Sequence, residues 1–176
     1  MPQLIKGSFS DRGRVADDVW IAVDNEKAMR DAPVDAPLLV ALPLWQAHRD
    51  ALVVRGVPLG VRLESADDPA VLANDLQRLA LVAITFPKFT DGRGYSIARL
   101  LRERYGYHGE IRAVGDVLRD QIFFMLRSGF DAFVLKDGAS IADALSAYAD
   151  FTEAYQTSVE RPVPLFRRRA IEPRPA

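Results

Sequence analysis

Between Phe86 and Ser96 the chain reads FPKFTDGRGYS, a segment with two cations, Lys88 and Arg93, a carboxylate, Asp91, two aliphatic hydroxyls, Thr90 and Ser96, and two glycines, Gly92 and Gly94. Lysine and arginine beside a glycine turn that opens a helix suit a small oxyanion or a phosphorylated ligand. The cations meet its charge, and the backbone N–H groups of the helix start point at it. Two later segments supply similar groups: GDVLRDQ has Asp116, Arg119 and Asp120, and KDGAS has Lys136 and Asp137. Acid or base chemistry, if there is any, has Asp91, Asp116 and Asp120 as its candidates, and Lys88, Thr90, Asp91, Gly92, Arg93, Gly94, Ser96, Arg119 and Lys136 are the candidate ligand contacts. The same residues also make an ordinary turn, in which Asp91 caps the loop and Arg93 pairs with Asp116 or Asp120 to tie two loops together.

Several chemistries are excluded or weakened by residue type. There is no cysteine, hence no thiolate nucleophile, disulfide, Cys-rich zinc site or Cys-held iron–sulfur cluster. His48 and His108 stand far apart, so no metal site is expected. Neither GxGxxG nor GxxxxGK[ST] occurs, and Ser96 has no nearby histidine and suits a helix cap better than a nucleophile. With a net charge of -1 and a pI of about 6.1, the chain lacks the global basic field of a nucleic-acid binder. No apolar run approaches a membrane span and the first residues lack a signal-peptide core, so a soluble cytoplasmic protein is the expectation.

What must position these groups is a strand-then-helix pattern repeated five times from Leu38 onward. Strands are expected at Leu38 to Leu42, Leu59 to Leu63, Leu81 to Thr85, Glu110 to Val114 and Ala132 to Leu135. Helices should follow from about Leu44 to Val54, from Asp67 or Asp68 as cap with Pro69 in the first turn, from Tyr95 to Tyr105, from Val117 to Arg127 and from Ser140 to about Tyr155. His48 falls in the apolar stripe of the first helix and reads as a core or boundary histidine in preference to a catalytic one, and Glu64 ends the second strand on the candidate edge. The fourth helix, with Ile122, Phe123, Phe124, Met125 and Leu126, is apolar over more than one stripe, which a central position or a homodimer would cover.

Five consecutive βα units imply an α/β fold with a parallel sheet, doubly wound with helices on both faces, or alternatively a part-barrel with all helices on one side. The expected divisions are a β-ribbon and connection over residues 1–36, an α/β domain over 37–157 and an extended Pro/Arg-rich tail over 158–176. Leu4–Ile5 and Val19–Val23 are the two ribbon strands, and the tail's Arg167, Arg168 and Arg169 are a candidate docking run.

The block FPKFTDGRGYSIARLLRERYGYHGEIRAVGDVLRDQIFFMLRSGFDAF resembles bacterial proteins grouped as domain of unknown function 934, and the likeness extends from the LIK opening to the RPVPLFRRR tail. The resemblance implies an oxidoreductase or accessory role in assimilatory sulfite or sulfate reduction, with sulfite reductase or other sulfate-assimilation proteins as partners. It supplies no catalytic residues and no named cofactor. Without cysteine ligands the chain is not itself a siroheme and iron–sulfur reductase, which leaves a subunit beside the reductase, an enzyme using a diffusible cofactor, or an interaction protein that docks on the machinery.

Overall fold

A computed structural model describes residues 2–8, 11–151 and 153–171, the side chains of 169–171 excepted. One eight-stranded sheet runs through it, and every strand from the N-terminal segment onward belongs to that sheet. In chain order the strands are β1 (Gln3–Lys6), β2 (Arg14–Asp17), β3 (Ile21–Val23), β4 (Leu38–Ala41), β5 (Leu59–Leu63), β6 (Leu79–Phe86), β7 (Glu110–Gly115) and β8 (Ala132–Phe133). The spatial order is β2-β1-β8-β7-β6-β5-β4-β3. β3 to β8 are parallel neighbours in sequence order, while β1 joins β8 and β2 joins β1 antiparallel. The α/β architecture of consecutive parallel units is as expected. Because the order never reverses, there is no switch point of the doubly wound kind, and the sheet follows the part-barrel alternative.

The curl of the sheet follows from chain length. β2 and β3 are its two edges, yet only Asp18, Val19 and Trp20 connect them. Eight flat strands would put the edges about 34 Å apart at normal strand spacing. Four residue steps reach at most about 14 Å. The edges are therefore drawn together into a half-barrel, and the connecting residues form a strap across its concave side. Val19–Val23 is thus not the second ribbon strand: Arg14–Asp17 pairs with β1, and the apolar run splits into strap and β3.

Alternation along the strands separates two faces. Val40, Val61, Val82, Ile84, Ile111, Ala113 and Phe133 face the helices, in a core shared with Trp45, Leu52, Leu72, Ile97, Leu101, Ile122 and Met125. The opposite parity, Leu39, Leu81 and Ala83, forms a smaller cluster against Trp20 and Val114 on the concave side.

The helices are α1 (Glu26–Asp31), α2 (Leu42–Val54), α3 (Arg93–Glu103), α4 (Ile122–Ser128), α5 (Ile141–Ser146) and α6 (Leu165–Ile171). α2 kinks at His48, whose φ of -128° leaves the helical region; its Nε2 lies 3.2 Å from Glu26 Oε1. Of the two cap candidates it is Asp68 that caps, accepting from Ala70 N at 2.9 Å, but only short 3-10 turns follow, Pro69–Leu72 and Leu76–Arg78. Between those two turns the buried Asp75 is tied to α2, its Oδ1 accepting from Arg49 Nε at 2.8 Å. The last unit is also shorter than expected: α5 passes into a 3-10 turn at Ala147–Ala149, and Thr152 lies outside the described residues. The tail is not wholly extended, since α6 occupies part of it and Val159 N donates to Arg127 O at 3.1 Å. Among the described residues no helix is long and apolar enough to cross a membrane.

Candidate functional site

The carboxyl ends of β6, β7 and β8 place the three charged segments on one rim of the half-barrel, where ligands of such sheets bind. Between them lies a groove of about 520 Å³ lined by Pro87, Gly115, Asp116, Val134, Leu135, Lys136 and Asp137. Its floor is set by Gly115, at φ +96°, where a Cβ would come 2.5 Å from the Phe86 carbonyl oxygen. No other residue fits that crossing. Asp116 N donates to Phe86 O at 2.8 Å, which turns the chain out of β7 and aims the Asp116 carboxylate across the rim.

Asp116 joins two loops. Phe89 N donates to its Oδ2 at 3.0 Å, and Lys136 Nζ lies 2.8 Å from its Oδ1. The Lys136 contact and then the Phe89 N–H hold the carboxyl below its ordinary range. Lys136 itself is more than half exposed. Lys88 extends from the tip of the adjoining turn, which Asp91 N closes by donating to Lys88 O at 2.9 Å. Its side chain is solvent-exposed and makes no ion pair among the described residues.

Arg93 is held differently. Its Nε donates to Asp91 Oδ1 at 2.9 Å, and its Nη2 donates to Asp91 Oδ2 at 2.6 Å and to Ser65 Oγ at 2.9 Å. Ser65 Oγ in turn donates to Asp91 Oδ2 at 2.7 Å. The partner of Arg93 is therefore Asp91 in its own turn, not Asp116 or Asp120. Arg93, then Ser65, keep the Asp91 carboxyl well below the usual range. Two of the three acid/base candidates, Asp91 and Asp116, are thus stabilised as carboxylates and are poor proton donors near neutral pH.

The remaining candidates spread out. Arg119 reaches away to Asp150 at 2.6 Å and to Ser146 at 3.0 Å, which pins the end of α5. Asp120 is exposed in the 3-10 turn Arg119–Gln121 that precedes α4. Thr90 and Gly92 are exposed in the loop, with Gly92 at an ordinary φ of -81°. Gly94 is buried in the first turn of α3, where a Cβ would come 2.6 Å from the Phe86 ring. It serves helix–strand packing and not ligand approach. Ser96 lies further along α3 in a shallow groove with Arg99, Leu100, Glu103 and Arg104, away from the rim. Of the expected cations, Lys88 has no ion pair among the described residues and Lys136 has a single carboxylate partner, whereas Arg93, though exposed, is held by three guanidinium hydrogen bonds.

A second charged set sits on the concave face and was not legible in the chain. Arg62 Nη2 is 2.8 Å from Asp24 Oδ1, and its Nε is 3.5 Å from Glu64 Oε1, which also accepts from Thr85 Oγ1 at 3.3 Å. Strand parity assigns Arg62, Glu64 and Thr85 to one face, but only the pairing register brings Asp24 and Arg112 alongside. Among the described residues no group of three carboxylate, histidine or cysteine side chains is arranged to hold a metal ion.

A family model described as a bacterial protein of unknown function, DUF934, matches residues 60–166, more than half of the chain. The chain belongs to the DUF934 family. The match begins within β5 and contains every lining residue of the rim groove, whereas β1, β2 and the strap precede it. No curated protein matches this DUF934 chain.

Proposed function

We propose that this DUF934 protein is a cytoplasmic accessory protein of assimilatory sulfite or sulfate reduction that binds a small oxyanion in the rim groove. The sulfur assignment comes from the family resemblance stated above. The binding assignment is carried by the state of Lys136, an ammonium over half exposed on the wall of a 520 Å³ groove and held by one carboxylate. Lys136 is the exposed member of that pair, while Asp116 is 19% exposed and keeps the Phe89 N–H on its other oxygen. Lys136 can therefore be shared between Asp116 and an incoming oxyanion, and Lys88 adds a charge with no ion pair among the described residues. Binding is favoured over acid–base catalysis because Asp91 and Asp116 are held as carboxylates.

Calorimetric titration with sulfite, sulfate and adenosine phosphosulfate tests this. Lys136→Ala should weaken binding at least tenfold and Lys88→Ala by a smaller factor, while Arg93→Ala lowers stability with little change in affinity. Unchanged affinity in Lys136→Ala removes the groove as the site.

A second reading, docking on the sulfite reductase machinery, has its own support. Phe89 and Phe124 are both more than half exposed, and the Phe124 ring stands 5.0 Å from Tyr95 near the rim. Aromatic side chains left in water beside a polar rim suit a protein interface. Loss of co-purification with the reductase in a Phe89→Ser, Phe124→Ser variant, with oxyanion binding intact, would select it.

A further inference from the structure

The concave face carries four cations in one cross-strand row. Arg62 is paired with Ala83, Ala83 with Arg112, Arg112 with Ala132, Ala132 with Lys6, and Lys6 with Arg14. Paired residues share a face, so Arg62, Arg112, Lys6 and Arg14 line the inside of the half-barrel with only two alanines between them. At the centre is Arg112, 1% exposed. Its Nε donates to Glu110 Oε1 at 2.7 Å and its Nη1 to Asp18 Oδ1 at 2.9 Å. Nη2 lies 2.7 Å from the same Glu110 oxygen but has no acceptor in hydrogen-bonding geometry. Glu110 is itself shared with Lys6, 2.6 Å away. A buried guanidinium with an unaccepted proton is costly, and a better-shaped anion would remove that cost.

Asp18 reaches Arg112 from the strap and not from the sheet. One oxygen, Oδ1, serves both Arg112 and the strap's own Trp20 N, 3.2 Å away. Asp18 therefore gives the guanidinium one shared bond where a tetrahedral oxyanion could bridge Nη1 and Nη2. The strap is lightly attached: Asp18 N donates to Pro2 O at 2.8 Å, Trp20 rests half-buried on Leu39, Leu81 and Ala83, and Val19 is 55% exposed.

We propose that the concave row is a second oxyanion subsite, centred on Arg112, and that the strap is its displaceable plug, with the Asp18 carboxylate occupying the ligand's place. A compact oxyanion displaces Asp18 from Arg112, satisfies Nη2 as well as Nη1, and lifts Trp20 from the sheet. This does not depend on the rim groove.

The test follows the indole N–H signals of Trp20 and Trp45 by NMR during titration with inorganic phosphate and with sulfite. Trp45, on the buried face of α2, reports the core; Trp20 reports the strap. A saturable shift of Trp20 with Trp45 unmoved is expected. Asp18→Asn keeps an acceptor for Trp20 N but removes the competing charge, and should bind at least tenfold more tightly. Arg112→Lys keeps the charge but loses the bridging fork, and should lose the response. A Trp20 signal that stays still in the wild-type protein overturns displacement, even if Asp18→Asn binds anions. A response abolished by Lys136→Ala also overturns it, since the anion then belongs to the rim.

Discussion

Arg112 and Asp18 are 94 positions apart in the chain, and a 2.9 Å hydrogen bond joins them across the concave face of the half-barrel. Asp18 is 18% exposed at its side chain and Arg112 is 1% exposed, so both charges have largely left water. Removing one member of such a pair leaves the other uncompensated, at a cost of about 3–5 kcal/mol. Arg112→Ala should lower the urea-unfolding free energy by about 3 kcal/mol, which equilibrium denaturation measures. Arg62→Ala, whose partners Asp24 and Glu64 are more than half exposed, should cost about 1 kcal/mol or less.

The rim loop should be sensitive to acid through Asp91. Its carboxyl is held below the ordinary 3.8, first by Arg93 and then by Ser65, so the folded state binds its proton less readily than the unfolded chain does. The stabilisation is present above about pH 3.8 and is lost as the pH falls through the lower folded value. Asp116 behaves in the same sense through Lys136. Asp91→Asn should be less stable at neutral pH and should show a shallower loss of stability on acidification, read from denaturation midpoints across an acid series.

Asp131 should act in the opposite direction. Burial pushes its carboxyl up to about 6, against the opposing pull of Arg102 and of the Ile111 N–H. Arg102 Nη2 donates to Asp131 Oδ2 at 2.8 Å, and Ile111 N donates to Oδ1 at 2.8 Å. A raised folded value favours the folded state when the group is protonated. Its contribution is full below about pH 3.8 and is lost as the pH rises through about 6. A carboxyl carbon titration should place the midpoint near 6, and Asp131→Asn should flatten the stability profile between those limits.

The two glycines of the FTDGRGY turn should respond differently to alanine. Gly94→Ala pushes a methyl into the Phe86 ring and should cost about 1–3 kcal/mol through overpacking. Gly92 has an ordinary φ, and its Cβ would have no neighbour closer than 4.0 Å. Gly92→Ala should be neutral or slightly stabilising. Thermal unfolding of the two variants distinguishes the packing glycine, Gly94, from the replaceable one, Gly92.

Local chemistry made much of this fold legible. The cap signal at Asp68 lies in the short sequence that carries it, and its side chain accepts the Ala70 N–H; Ser140, where a helix is expected to begin, accepts the Asp143 N–H as the cap of α5. The apolar alternation of Val82, Ile84 and Phe86 marks a strand whichever neighbours it finds. The strand β8 and the 3-10 turns after β5 are shorter than their apolar patterns predict. Their length is set by what they pack against, and Asp75 with Arg49 is a contact between separate elements.

The candidate site divides along the same line. That Lys88, Asp91, Arg93, Asp116 and Lys136 share the carboxyl edge of a parallel sheet follows from the order of strands and turns, which the chain alone determined. Which cation is free is a matter of tertiary geometry. Arg93 is held by three guanidinium hydrogen bonds to Asp91 and Ser65, the latter 28 positions away, whereas Lys136 has one carboxylate partner, Asp116. The row Arg62, Arg112, Lys6 and Arg14 was beyond any local reading, because strand register and curl bring its members together and neither leaves a mark in any one segment. The strap is an ordinary Asp-Val-Trp until the sheet bends. Once its edges come within reach, those three residues must cross the interior, and only then does Asp18 meet Arg112.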